Sequence, residues 1–381
     1  MLYHLLVPLI HRFRALNLFN YITFRAAGAA VTALLLAFIV GPMLIRRLRN
    51  GQVIQSVRDG TPETHRVKGG TPTMGGLIIL FSCIVSTLLW ARLSSRYIWL
   101  ALGVTAAMGA IGLLDDVLKV RQRRAGQKNQ GLVERYKLMG QVSIGLLLGL
   151  YVWQWPLAPN LPGASTTLPF FKYVLVVPIS AGFAWLYVVF TTFVLTGTSN
   201  AVNLTDGLDG LAAGLSAIAF ATFAVFAYAI GRVDWSRYLG LFYLTDSGEL
   251  TVFCAAMAGA LLAFLWFNSY PAQIFMGDTG SLALGGGLGA VAILLKSEFL
   301  LVFIGGVFLC ETLSVMIQRG VFKFRRRRHG LAYAQQHRVF LRAPIHHHFE
   351  VKGWPEAQVV VRFWILGIMC SFLALATLKV R

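Results

Sequence analysis

Charge is scarce in this chain, and acidic charge above all. Its 381 residues include only 15 Asp and Glu against 34 Lys and Arg; charged residues make up 13% and hydrophobic ones 57%. With a mean hydropathy of +0.67, that shortage excludes a water-soluble enzyme, whose chain is roughly a quarter charged. Cysteine is equally sparse. Cys83, Cys254, Cys310 and Cys370 fall singly in four separate apolar stretches, which excludes a close-spaced zinc pattern and an extracellular disulfide framework. No cleavable leader is expected, because the short apolar stretch 5–10 contains Pro8, runs into Arg12 and Arg14 and lacks a small-residue cleavage site. Residues 1–20 are expected instead to form an interfacial helix.

Long apolar runs are abundant, and runs of about 20 residues span a bilayer as helices. Ten occur, at 26–45, 75–91, 98–114, 138–152, 173–195, 211–230, 250–267, 282–295, 299–317 and 359–378. Short alternating segments, the mark of a transmembrane β-barrel, are missing. The expected fold is therefore all-α: one polytopic membrane domain over 1–381 with about ten transmembrane helices. An even number of spans puts both termini on one side. The connections 46–74, 115–137, 196–210, 268–281 and 318–358 carry 22 of the 34 Lys and Arg, the opposite side carries 11, and Arg362 lies within the last run. By the positive-inside rule those five connections are cytoplasmic and both termini face outward. The block 325–328, four arginines, reads as a topology anchor against anionic lipid headgroups. No nucleic-acid module accompanies it, so no nucleic-acid partner is expected.

The few polar residues beside the apolar runs concentrate on that cytoplasmic side. Asp115 and Asp116 end the third run; 200–211 reads NAVNLTDGLDGL, with Asn200, Asn203, Asp206 and Asp209 at three-residue intervals; 275–281 reads FMGDTGS around Asp278. Lys68 opens the stretch KGGTPTMGG at 68–76, and His346, His347 and His348 lie in APIHHHF at 343–349. Scattered structural polar residues would occupy both faces, so five clusters on one face point to a single site. Adjacent carboxylates at a helix end project about 100° apart, letting one meet a metal or a proton while the other holds a second group. Hard Mg²⁺ takes carboxylate and phosphate oxygens, which suits Asp115, Asp116 and Asp278 together with a diphosphate. Asp206 is placed to cap the sixth helix, whose free N–H groups offer an anion site.

Simpler roles compete with each of these. Asp115 and Asp116 could cap a helix or pair with Lys119, Asp278 could belong to a plain Gly-rich turn, and three successive histidines in extended chain would point to alternating faces. Glu311, inside the ninth run, reads as an interhelical hydrogen-bonding group. Lys119, Lys128 and Lys137 read as solvated members of a basic loop. A secondary transporter with broken helices is the competing class, but its site would lie near the midplane between repeated halves, and no repeat is evident.

The five motifs, in this order and spread over nearly the whole chain, resemble those of the phospho-N-acetylmuramoyl-pentapeptide transferases (the MraY family) within the polyprenyl-phosphate N-acetylhexosamine-1-phosphate transferases. The resemblance implies transfer of phospho-MurNAc-pentapeptide from UDP-MurNAc-pentapeptide to undecaprenyl phosphate, giving lipid I and UMP, with Mg²⁺ as cofactor, in the bacterial plasma membrane. By resemblance Asp278 ligates Mg²⁺, Asp115 is the general base on the lipid phosphate and Asp116 supports metal or substrate. A covalent aspartyl intermediate is left open. Phe275 is implied to stack on uracil, and Lys68, Asn200, Asn203, Asp206, Asp209 and Asn268 to line the nucleotide-sugar pocket. His346, His347 and His348 are implied near the phosphates or sugar, with His347 in the catalytic set. A homodimer is a further partner to test, and the nearest alternative is a sister transferase for UDP-GlcNAc. The chain departs from the family between Phe324 and Arg338, where the basic link is longer than expected, and around Lys128, onto which no role is carried.

Overall fold

The computed structural model describes residues 1–51, 53, 70–126, 131–159, 161–171, 177–178 and 181–379. Ten helices in it overlap the ten apolar runs: α1 Ile22–Asn50, α2 Gly76–Trp90, α3 Arg96–Arg124, α4 Glu134–Gln154, α5 Trp185–Thr205, α6 Leu211–Ile230, α7 Glu249–Asn268, α8 Gly277–Leu294, α9 Gly306–Gln336 and α10 Glu356–Ala376. Seven of them (α1, α3, α5, α6, α7, α8 and α10) are long and apolar enough to cross a membrane. The protein is thus a multi-pass helical membrane protein. α2 is shorter, at 15 residues, and α4 and α9 mix apolar and charged turns, α9 with a kink at Gly330. Residues 1–20 form the short helical turns Leu2–Leu6, Val7–His11 and Arg14–Asn20.

Several helices outlast their apolar runs. α3 continues ten residues beyond the run that ends at Leu114, and α5 continues to Thr205, because no proline interrupts either and a helix goes on satisfying its own backbone. Asp115, Asp116, Asn200 and Asn203 therefore lie on helices and not in the loops expected at 115–137 and 196–210. The fifth run behaves oppositely. Its helix starts at Trp185 and not at 173, and Val177–Pro178 pairs antiparallel with Ser165–Thr166; a proline there denies the helix a donor. Asp206 does not cap α6. It is the C-cap residue of α5, and Gly210, at φ 80°, precedes α6.

α7 and α8 form the centre. α7 packs on α1, α2 and α6, and α8 on α3 and α5. The apolar window of α8 is 89% buried, against 28% for α1, so α8 is surrounded by protein while α1 faces outward. Small residues make this possible, as in membrane interfaces generally: a Cβ on Gly112 of α3 would lie 2.1 Å from the Asp278 carbonyl oxygen, and one on Gly76 of α2 would lie 2.2 Å from the Gly280 nitrogen. Those two contacts bring the start of α8 against α2 and the last turns of α3.

Candidate active site

The start of α8 is where the acidic clusters meet. Asp116, buried on α3, accepts hydrogen bonds from the N–H of Asp278 at 3.2 Å, the N–H of Thr279 at 2.9 Å and the Thr279 hydroxyl at 2.7 Å. It supplies from a neighbouring helix the acceptor that the free N–H groups of α8 need, on the side that the helix dipole favours for an anion. Gly277 (φ +73°) makes the approach possible, since a Cβ there would lie 2.7 Å from the Asp116 carboxylate.

Asp278 is thereby aimed at Asp115. Ligand oxygens of Asp115, Asp116 and Asp278 lie within 4.8 Å of one another. Lys119 and Lys137 hold the first and third together: Lys119 Nζ is 2.6 Å from Asp115 and 3.0 Å from Asp278, and Lys137 Nζ is 2.6 Å from Asp278 and 3.8 Å from Asp115. The Leu132 N–H donates to Asp115 at 2.6 Å, and Asn203 donates to the other Asp278 oxygen at 2.9 Å and to Ser281 at 2.8 Å. Both lysines read from the sequence as solvated loop residues, and both are part of the cluster. Lys119 follows Asp115 by four residues, a one-face helical spacing that was legible; Lys137 arrives on the first turn of α4, which only the chain's return brings here.

The acidic turn between α5 and α6 sits alongside. Burial, and then the charges of Asp278, Asp116 and Asp209, push Asp206 up to about 8. Asp209 accepts from the Ala272 N–H at 3.0 Å, and its own N–H donates to Glu356 at 2.8 Å. Asn268 accepts from the Gly210 N–H at 3.1 Å and donates to the Ile274 carbonyl at 2.9 Å. These two fix the turn to the 269–276 connection, in which Phe275 is half-buried and bonded through its backbone to Pro72 and Gly75. Asn200 points elsewhere, donating to Gln141 of α4 at 2.8 Å.

The three histidines lie on the short helix Ile345–Val351 and separate by face. His346 is wholly buried, with Nδ1 3.1 Å from Glu311 of α9. His347 lies 2.5 Å from Glu350, and burial, chiefly, lowers its pKa. His348 accepts from the Leu341 N–H at 3.1 Å. The extended, alternating arrangement expected of them is replaced by one helical turn. Lys68 lies outside the described residues.

Three carboxylates and two movable ammonium groups can hold a divalent cation and a phosphate by exchanging partners. The donor set is all oxygen, the choice of a hard cation. Asp116 has both oxygens committed to α8, whereas Asp115 and Asp278 each have one oxygen against lysines, which can give way.

Comparison with known proteins gives the class of the chain. The profile of glycosyl transferase family 4 matches residues 98–296, the stretch from the start of α3 to just beyond α8. Over 381 residues, with all of both chains covered, the chain is 67% identical to the phospho-N-acetylmuramoyl-pentapeptide-transferase of Gemmatimonas aurantiaca and 49% identical to that of Desulfotalea psychrophila. It is 48% identical to that of Syntrophus aciditrophicus over 383 aligned positions, again with both chains covered throughout.

Proposed function

The chain belongs to the phospho-N-acetylmuramoyl-pentapeptide transferases, within glycosyl transferase family 4, and on that premise we propose that it transfers phospho-MurNAc-pentapeptide from UDP-MurNAc-pentapeptide to undecaprenyl phosphate, forming lipid I and UMP in peptidoglycan synthesis. The observation that carries the mechanism is the Asp115–Asp116–Asp278 group faced by Lys119 and Lys137 at one end of an apolar bundle. A water-soluble nucleotide and a membrane-bound phosphate can meet only at such a boundary.

A phosphate oxygen of the lipid attacks the donor phosphorus that bears the sugar. The bridging P–O bond breaks, and its electron pair leaves with UMP. Asp115, on α3, takes the proton from a lipid phosphate that arrives singly protonated. Lys119 and Lys137 turn from the carboxylates to the phosphate oxygens and stabilise the charge that develops there. Asp278, with Asp115 beside it, would hold Mg²⁺, which when bound would supply Lewis-acid polarisation of the phosphoryl oxygens. Asp116 orients Asp278 through the start of α8. Phe275 stacks on uracil; Lys68, Asn203 and Asp206 line the nucleotide-sugar pocket, with Asn200, Asp209 and Asn268 bracing its walls, and His347 and His348 face the phosphates or sugar.

We further propose that all ten helices cross the bacterial plasma membrane, with the site on the cytoplasmic face and both termini outside, as the 22-to-11 division of Lys and Arg indicates. The purified protein in detergent should release UMP from UDP-MurNAc-pentapeptide only with undecaprenyl phosphate and Mg²⁺ present, and should prefer that donor to UDP-GlcNAc. Turnover of UDP-GlcNAc alone would move it to the sister transferases.

A further inference from the structure

Glu311 and His346 are both wholly buried. Their 3.1 Å approach brings together four polar atoms, both Glu311 oxygens and both His346 ring nitrogens, that have no well-aligned hydrogen-bond partner among the described residues. Buried polar atoms left unpaired destabilise a fold, and an acid within a membrane helix is costly and often marks a function. Its surroundings indicate the use. A Cβ on Gly207 would lie 2.3 Å from His346 Nε2 and 2.9 Å from Cε1, so the ring edge presses on bare backbone in the turn that carries Asp206 and Asp209. The same turn is held at Asp209 by Glu356 and at Gly210 by Asn268. His346 is the corresponding brace at Gly207, one residue from Asp206. Its ring also lies 4.2 Å, centroid to centroid, from that of His347.

We infer that Glu311 and His346 form a buried bracket that positions the acidic turn: Glu311 fixes the ring through Nδ1, and the Nε2 edge sets where Gly207, and with it Asp206, lies. Both are positioning residues, and neither touches substrate. Only the kinetic part of the test rests on the proposed function.

Glu311→Ala, Glu311→Gln and Gly207→Ala are compared with wild type in the full chain in detergent. The amide of Gln keeps an acceptor oxygen for Nδ1, whereas Gly207→Ala pushes on the ring from the other side and leaves Glu311 in place. Glu311→Ala and Gly207→Ala should each raise KM for the nucleotide sugar about 10-fold, less than the roughly 100-fold that a 1 Å misplacement can cost, and leave KM for undecaprenyl phosphate unchanged, while Glu311→Gln stays near wild type. Amide hydrogen exchange over residues 203–211 should accelerate in the first two variants and recover in the third. Loss of Vmax with both KM values and the exchange unchanged, or failure of Gln to restore them, overturns the bracket. Should Glu311→Ala not fold, Gly207→Ala against Glu311→Gln decides. Wild-type protein that releases no UMP would sink the functional reading, and exchange would then decide the bracket on its own.

Discussion

The two ends of α8 both carry charge, and they are built differently. At its start the Asp278 side chain is 18% exposed, and the lysines that reach it, Lys119 and Lys137, are 29% and 16% exposed. Two ammonium groups are shared there among three carboxylates. Beyond its last turn Lys296 and Glu298 are only 1% and 3% exposed, and each finds fixed partners. Lys296 donates to the Gly163 carbonyl at 2.5 Å and to the Tyr187 hydroxyl at 3.0 Å; Glu298 accepts from Tyr187 at 2.8 Å and from Thr166 at 2.6 Å. This sealed network ties the Ser165–Thr166 strand and α5 to the end of α8. A buried polar network whose members all have partners rigidifies a fold, whereas a cluster with excess negative charge and an opening to solvent is poised to take a cation. On the proposed function, the same helix has one end that works and one that holds.

The largest effect should come from Asp278→Asn, which removes the charge from the working end: UMP release should fall by at least about 100-fold, with only a small loss of thermal stability because Lys119 keeps Asp115 as its partner. Next, Glu298→Ala should destabilise the fold by about 2 kcal/mol, since it leaves the buried Tyr187 and Thr166 hydroxyls without their acceptor, yet leave turnover per folded molecule unchanged; thermal melting beside an active-fraction assay checks both. A smaller and more specific change is expected of Lys137→Met. With one competitor removed from Asp278, half-saturation in Mg²⁺ should shift to lower concentration while kcat drops about 10-fold, as a metal titration of turnover would reveal.

The smallest expected effect is a pH dependence at the holding end. Burial lowers Lys296 from 10.5 to about 8, so between those values the unfolded chain binds more protons than the folded one, and the contribution of Lys296 to stability rises with pH through that window. Lys296→Met should remove that increment from the melting temperature between pH 8 and 10. Equal pH slopes in wild type and variant would contradict it.

Much of this division was legible in the chain. Continuous apolar runs foretold where helices lie, since a helix satisfies its own backbone within lipid, and the one-sided crowding of Asp115, Asp116, Asn203, Asp206 and Asp278 foretold that these side chains lie together. What sequence spacing could not convey is which partner each side chain meets. Asn200 and Asn203 are alike by spacing, but their directions on α5 send one to Gln141 of α4 and the other to Asp278. Lys137 joins the cluster only through the return of α4, and Glu311 meets His346 only because the short helix Ile345–Val351 folds back on α9. The holding end has no signature in the sequence: Lys296 and Glu298 lie two residues apart, but their partners Tyr187 and Thr166 are more than 100 residues away.

The most direct test measures turnover per folded molecule and melting temperature together for Asp278→Asn and Glu298→Ala, in the presence of Mg²⁺, UDP-MurNAc-pentapeptide and undecaprenyl phosphate. A crossed result is predicted, with Asp278→Asn folded but inactive and Glu298→Ala less stable but active. Wild-type turnover by Asp278→Asn, or lost turnover by Glu298→Ala in fully folded protein, would contradict the assignment of chemistry to one end of α8 and support to the other.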